Sequence, residues 1–121
     1  MLTEAQHMTD RIRGNECSIE ELTDCIRRGG LLVRTNALEA LVIHAQKKED
    51  LIDELVAAAS DPINQTRLMG TVSVAHVAIA CLLRVGTSKS FEKARALIQS
   101  WPEPDRTDLI WYLRSENLPV K

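Results

Sequence analysis

From Val77 to Leu83 every residue is apolar, and this run belongs to a longer stretch, Asn64 to Val85, that also carries Arg67, Gly70, Ser73, His76 and Arg84. A helix that is apolar nearly all round must be covered on several sides. The stretch is therefore expected to form one long central helix with neighbours on both flanks. A membrane span is the rival, but the apolar run is shorter than about 18 residues, and Gly70, Ser73 and His76 lie between the two arginines. No membrane is expected.

One domain, residues 1–121, is long enough to cover such a helix and too short to divide into two. Hydrophobic residues make up 45% of the chain, which excludes disorder, yet aromatic residues make up only 3%. The core must come from Leu, Ile, Val and Ala, the materials of helical packing, and no strand pattern competes. Seventeen acidic and 15 basic residues leave a net charge of −2. Such a surface has no general attraction for nucleic acid or anionic lipid. Cys17, Cys25 and Cys81 match no zinc or redox spacing and are expected as free thiols. Residues 1–10 contain no apolar leader core, so the expected location is the cytoplasm.

Taken in order, Thr3 with Gln6 makes a capping box, and Leu2, Ala5, Met8 and Ile12 form a weak stripe that Gly14-Asn15 ends. Ser18 with Glu21 makes a second box before Ile19, Leu22, Cys25 and Ile26, closed by Gly29-Gly30. A longer helix is expected from Leu31 to about Lys48, and another from Glu49-Asp50 to Ser60, where Asp61-Pro62 turns the chain. After the central helix and Gly86, Ser88 or Ser90 is expected to cap a helix carrying Phe91, Ala94, Leu97 and Ile98. A last helix is expected from Pro104 to about Glu116, with Leu109, Ile110, Trp111 and Leu113 apolar.

The alternation of short and long helices invites a search for repeats. An offset of 33 carries Arg34 onto Arg67, Ile19 onto Ile52, Leu22 onto Leu55, Cys25 onto Ala58 and Ile26 onto Ala59. An offset of 39 carries Arg67 onto Arg106 with a weaker match. Val33, Arg34, Ala37, Ala40 and Leu41 reproduce the Val-Arg-x-x-Ala-x-x-Ala-Leu start of a HEAT-repeat inner helix, and Asp61-Pro62 followed by Arg67 is similar to that family's turn. The chain thus resembles HEAT-repeat proteins over roughly residues 18–116. The resemblance implies an all-α fold: a short right-handed α-solenoid of about three antiparallel helix pairs, units 18–48, 49–86 and 88–116, behind an N-terminal capping helix. It also implies binding of another protein.

In such a stack one side of each inner helix lines a concave surface. On the central helix Met69, Ser73, His76, Ala80 and Arg84 share one stripe, the most polar that helix has. The two offsets add Asn36, Ala40 and Ile43 on one side and Asp108, Tyr112 and Ser115 on the other. Asn36, Ile43, Met69, Ser73, His76, Arg84, Asp108 and Tyr112 are the expected partner-binding residues. The competing account is that these positions are merely solvated. Arg34, Arg67 and Arg106 are expected to tie units together by reaching turn carbonyls or an acid such as Asp61. Trp111, aligned with Val72, is expected in the core or as a cap, and Trp101 over the end of the third pair. His76 is expected on a partly exposed ridge with nothing to orient its ring, so no catalytic group is assigned.

The histidines and cysteines have no metal-ligand spacing, and the glycines form no phosphate loop, so no cofactor is expected. The leading expectation is a non-enzymatic protein-binding module, a small adaptor or an immunity-like inhibitor. The alternative is a nucleic-acid-binding HEAT-like protein of the DNA-repair type. A second copy of the chain could also meet the exposed faces of the terminal units.

Overall fold

Among the described residues, side-chain caps set four of the seven helix starts. In the computed structural model, which describes residues 3–65, 67–69 by backbone alone, and 72–120, α1 spans Glu4–Arg13 behind the Thr3/Gln6 box and α2 spans Ile19–Arg28 behind the Ser18/Glu21 box. In each box the hydroxyl accepts from the backbone N–H three residues on, and the later side chain accepts in return, satisfying donors that the first turn leaves over. Glu21 also meets Arg11 at 2.9 Å, which links α1 to α2. Helix α3 covers Leu31–Lys47, and α4 covers Asp50–Ser60 with Asp50 and Asp53 in its first turn, where the macrodipole favours them. Helix α5 covers Val74–Val85 and closes on Gly86 at φ +76, a left-handed conformation that glycine adopts without steric cost. Helix α6, Ser88–Ser100, is capped by Thr87 rather than by Ser88 or Ser90, with Ser90 as the reciprocal partner. Helix α7 spans Asp105–Ser115.

The all-α expectation holds for the class of the fold, with one local exception. The central helix does not begin near Asn64. Pro62–Gln65 form a 3-10 turn, and Arg67–Met69 (β1) pair antiparallel with Val72–Ser73 (β2) across a bulge. The physical reason lies in Val72 and Ser73. A β-branched residue favours extended backbone, and a serine that bonds the N–H three residues ahead starts a helix instead of continuing one. Leu2, Thr66 and Gly70, and the side chains of Arg67 and Met69, lie outside the described residues.

Helix α5 sits between α3 and α4 and also touches α6 and α7, while α2 packs on α3, α6 on α7, and α1 against α3. Leu22, Leu38, Leu41, Ile52, Leu55, Ile79, Leu82, Leu109 and Leu113 are fully buried between these layers. The offset of 33 survives in α2 and α4, where Leu22, Cys25 and Ile26 and their counterparts Leu55, Ala58 and Ala59 are all buried. It fails between α3 and α5, because α5 starts at Val74. Among the described residues no helix is long and apolar enough to cross a membrane.

Arg34 ties the first two pairs. It is only 8% exposed, and its guanidinium donates to the Gly29 carbonyl at 2.8 Å and to Asn64 Oδ1 at 2.5 Å. Asn64 in turn donates to the Ala58 carbonyl at 2.8 Å. A turn carbonyl is thus one partner, as expected, but Asn64 replaces Asp61 as the other. Arg106 repeats part of the device, reaching the Gln99 carbonyl at 3.5 Å while paired with Glu103 at 2.9 Å.

Two tests follow from this packing. A Cβ on Gly29 would lie 2.5 Å from the Cys25 carbonyl oxygen and 2.8 Å from Val33 Cγ1, whereas one on Gly30 meets nothing within 4 Å. Gly29→Ala should cost roughly 1–3 kcal/mol by overpacking, and Gly30→Ala should be neutral or stabilising by up to about 1 kcal/mol, measured by urea unfolding. Arg34→Ala and Asn64→Ala should each destabilise by about 1–3 kcal/mol, because a buried partner is left unpaired. A double-mutant cycle should show the two effects to be non-additive by at least about 0.5 kcal/mol.

Candidate functional site

Helices α3, α5 and α7 carry most of the residues that sequence reasoning singled out, but burial divides them. On α3 the positions Leu32, Asn36, Glu39, Ile43 and Gln46 recur at helical spacing and form the stripe its neighbours leave uncovered. Ile43 is 64% exposed, a large apolar side chain in solvent. Asn36 is half-buried and engaged: its Oδ1 accepts from Arg13 Nε at 3.0 Å and its Nδ2 donates to the Leu32 carbonyl at 2.8 Å. It therefore fastens α1 to α3. Gln46 reaches across to the last turn of α5, donating to the Arg84 and Val85 carbonyls at 3.4 and 3.3 Å.

Helix α5 supplies less surface than expected. Ser73, His76 and Ala80 are fully buried, so the expected exposed ridge on this helix is corrected to a packed face. Polarity misled because both polar residues serve the helix start. Ser73 Oγ accepts from the His76 backbone N–H at 3.4 Å and lies 2.6 Å from His76 Nδ1, which itself accepts from the Ser73 N–H at 3.1 Å. The ring is also firmly oriented, edge-on to Trp101 at 5.1 Å and to Tyr112 at 5.7 Å between centroids. His76 lines the floor of a cleft of about 330 Å³ that Trp101, Ser60 and Asp105 help to wall; Ser73 does not reach it. A serine 2.6 Å from a histidine could suggest a nucleophile and its base, but this hydroxyl is buried and occupied as a helix cap.

Only Arg84 of α5 emerges at the surface, where it meets Glu116 at 3.6 Å. Beside it, α7 presents Asp108, Trp111, Tyr112 and Ser115, which with Val72 line a shallow basin of about 470 Å³. Trp111 is 72% exposed, more than any other large hydrophobic side chain among the described residues. Of the two places expected for it, the core or a cap, this exposure excludes the core. Leu109 and Leu113, one turn apart, are the buried pair of α7, and the residue midway between them points nearly opposite. Their spacing was the signal that could have placed Trp111 outside.

Groups on α3 and α5 and at the end of α7 act on Tyr112. Its hydroxyl is pushed up to about 12, first by burial and then by the Glu116 carboxylate; Cys81 and Glu39 add to the rise and Arg84 opposes it. Cys81, beneath, is likewise pushed up to about 12 by burial, so its thiol stays protonated and unreactive at neutral pH. The structure thus brings Arg84, Tyr112 and Asp108 to one side together with Glu39 and Trp111. Ile43 stands on the exposed stripe of α3, and the Met69 side chain lies outside the described residues. Among the described residues no group of three or more His, Cys, Asp or Glu is placed to hold a metal ion.

Tyr112 is the single tyrosine of the chain, so its ionisation can be followed directly by phenolate absorbance. The folded protein should titrate near 12 rather than near the ordinary value of about 10, and Glu116→Gln should lower that midpoint. Because the folded pKa is the higher one for both Cys81 and Tyr112, stability should begin to fall near pH 9, where the unfolded thiol ionises, and fall further above about pH 10 towards 12. No family model, curated protein or solved structure matches this chain.

Proposed function

We propose that this chain is a non-enzymatic protein-binding module of HEAT-like construction that holds a partner on the side shared by α3, α5 and α7. The observation that carries the proposal is Trp111, an indole 72% exposed at the edge of a basin whose other wall is the half-buried Tyr112. Trp and Tyr are among the commonest anchors of protein interfaces, and here the two stand side by side on one basin. Ile43 on α3 adds an apolar contact, and Glu39, Arg84, Glu116 and Asp108 give a polar rim.

The solenoid reading draws support from the packing. Helices pair as α2 with α3, α4 with α5 and α6 with α7, and neighbouring pairs touch through α3 and α5 and through α4 and α6. Arg34 and Arg106, matched by the repeat, both reach a carbonyl at the end of the preceding helix. A small adaptor or an immunity-like inhibitor would use such a face in the same way. Against the nucleic-acid alternative, Arg11, Arg27, Arg28 and Arg84 each face a carboxylate and Arg34 is buried, so these five are not free to follow phosphates.

The test is affinity capture from the native lysate with the parent chain and with Trp111→Ser and Tyr112→Ala variants that retain the parent's unfolding midpoint. One protein held by the parent should be lost from the Trp111→Ser bait, whose affinity should drop by at least about 30-fold, the loss of a hot-spot anchor. Equal recovery on both baits would remove the binding site from this face. Nucleic acid as the main species recovered would favour the alternative.

A further inference from the structure

On the side of the molecule formed by α6 and the C-terminal tail lies a second cleft, of about 280 Å³, that the proposed partner face does not use. Its floor is Leu83 of α5 and Ile98 of α6, both buried, and its walls are Phe91 and the tail residues Pro119 and Val120. At its rim stand Arg95 and Gln99, one helical turn apart on α6. Among the described residues Arg95 makes no hydrogen bond or ion pair, although most other arginines of the chain have a partner.

We propose that this cleft binds a small amphiphilic monocarboxylate, a medium-chain fatty acid or a close analogue, with the alkyl chain on Leu83, Ile98 and Phe91 and the carboxylate on the Arg95 guanidinium. The polarity of the lining fits that ligand. Apolar side chains cover the floor, and among the described residues the lining holds one cation with one amide a helical turn away, which matches a chain with one charged terminus. An extended peptide fits worse. Leu83, Phe91 and Ile98 belong to helices whose backbone groups are already bonded, and Pro119 has no N–H, so a peptide main chain in the cleft would find few partners. An alkyl chain needs none. At about 280 Å³ the cleft is at the small end of ligand-sized pockets, which limits the chain length.

The experiment titrates the whole chain with butanoate, hexanoate, octanoate and decanoate, followed by calorimetry and amide chemical shifts, with octanol as the uncharged control. Affinity should rise about threefold to fourfold for each methylene and then level off when the cleft is full. Octanoate should bind several-fold more tightly than octanol, with shifts centred on Leu83, Ile98 and Val120. Arg95 is exposed, so Arg95→Glu should leave the fold intact, abolish the preference for octanoate and spare octanol. Equal binding of octanoate and octanol, an unchanged preference in Arg95→Glu, or shifts scattered away from the cleft would each overturn the assignment. A short peptide ending in Leu that binds there more tightly than octanoate would replace the fatty acid with a protein C-terminus. None of these outcomes bears on the Trp111 face, which uses other residues.

Discussion

Every residue of α5 except Arg84 is buried, and that one requirement organises the rest of the molecule. An all-round apolar helix can be kept from water only by several neighbours, and α3, α4, α6 and α7 supply them. Its small residues matter as much as its large ones. Ala75, Ala78 and Ala80, all fully buried, let neighbouring elements approach closely, while Ile79 and Leu82 fill the layers between. With its sides consumed, α5 can meet polar surroundings only at its ends, and its caps are well made there: the Ser73 and His76 box at the start, Gly86 at the close.

The same burial decides where a binding surface can be. A helix covered all round offers almost nothing to a partner, so exposed contact residues must come from the helices beside it. Ile43 on α3 and Trp111 on α7 are the large apolar side chains that stand free on those two helices near the surface end of α5. Arg84, the one residue of α5 that is not fully packed away, is half-buried and held in place by Glu116 and by the Gln46 bonds to its own turn. The outer helix α6 leaves a different kind of opening, an apolar cleft with an unpaired guanidinium, because no further helix pair packs on that side of Phe91 and Ile98 among the described residues.

Much of this fold was legible in the sequence, and the failures have physical causes. Capping boxes at Thr3 and Ser18, the Gly29-Gly30 and Asp61-Pro62 breaks and the closing Gly86 are local chemistry, decided within one helical turn, and they fell where expected. The core of the outer helices was legible through the offset of 33, since Leu22 and Leu55 or Ile26 and Ala59 are interchangeable in role. The start of α5 was not, because an unbroken helical register was carried across Val72-Ser73, where a β-branched residue followed by a capping serine favours a fresh start. The candidate site was half legible. Positions on α3 and α7 were reached through the repeat offsets, but Ser73 and His76 were read as partly exposed because their stripe is polar, and Trp111 was placed in the core or as a cap because it aligns with Val72. Exposure follows from which face the neighbours cover, and residue type reports it only on average.

His76 shows why a buried polar residue belongs where it is. The box at the start of α2 uses Glu21, a carboxylate near solvent, held below the usual carboxylate range first by the Ser18 backbone N–H and then by Arg11. The box at the start of α5 is sealed, with Ser73 and His76 both fully buried. A carboxylate at that position would be taken out of water next to Trp101 and Tyr112, where a charge is expensive. Imidazole supplies the same acceptor to the Ser73 N–H at 3.1 Å without requiring a negative charge. Its ring adds two edge-to-face contacts, with Trp101 and Tyr112, that a Glu or Gln side chain could not make. The histidine therefore does three jobs at one point: it starts the central helix, closes the seam between α5 and α7 through Tyr112, and forms the floor of the cleft beside Trp101.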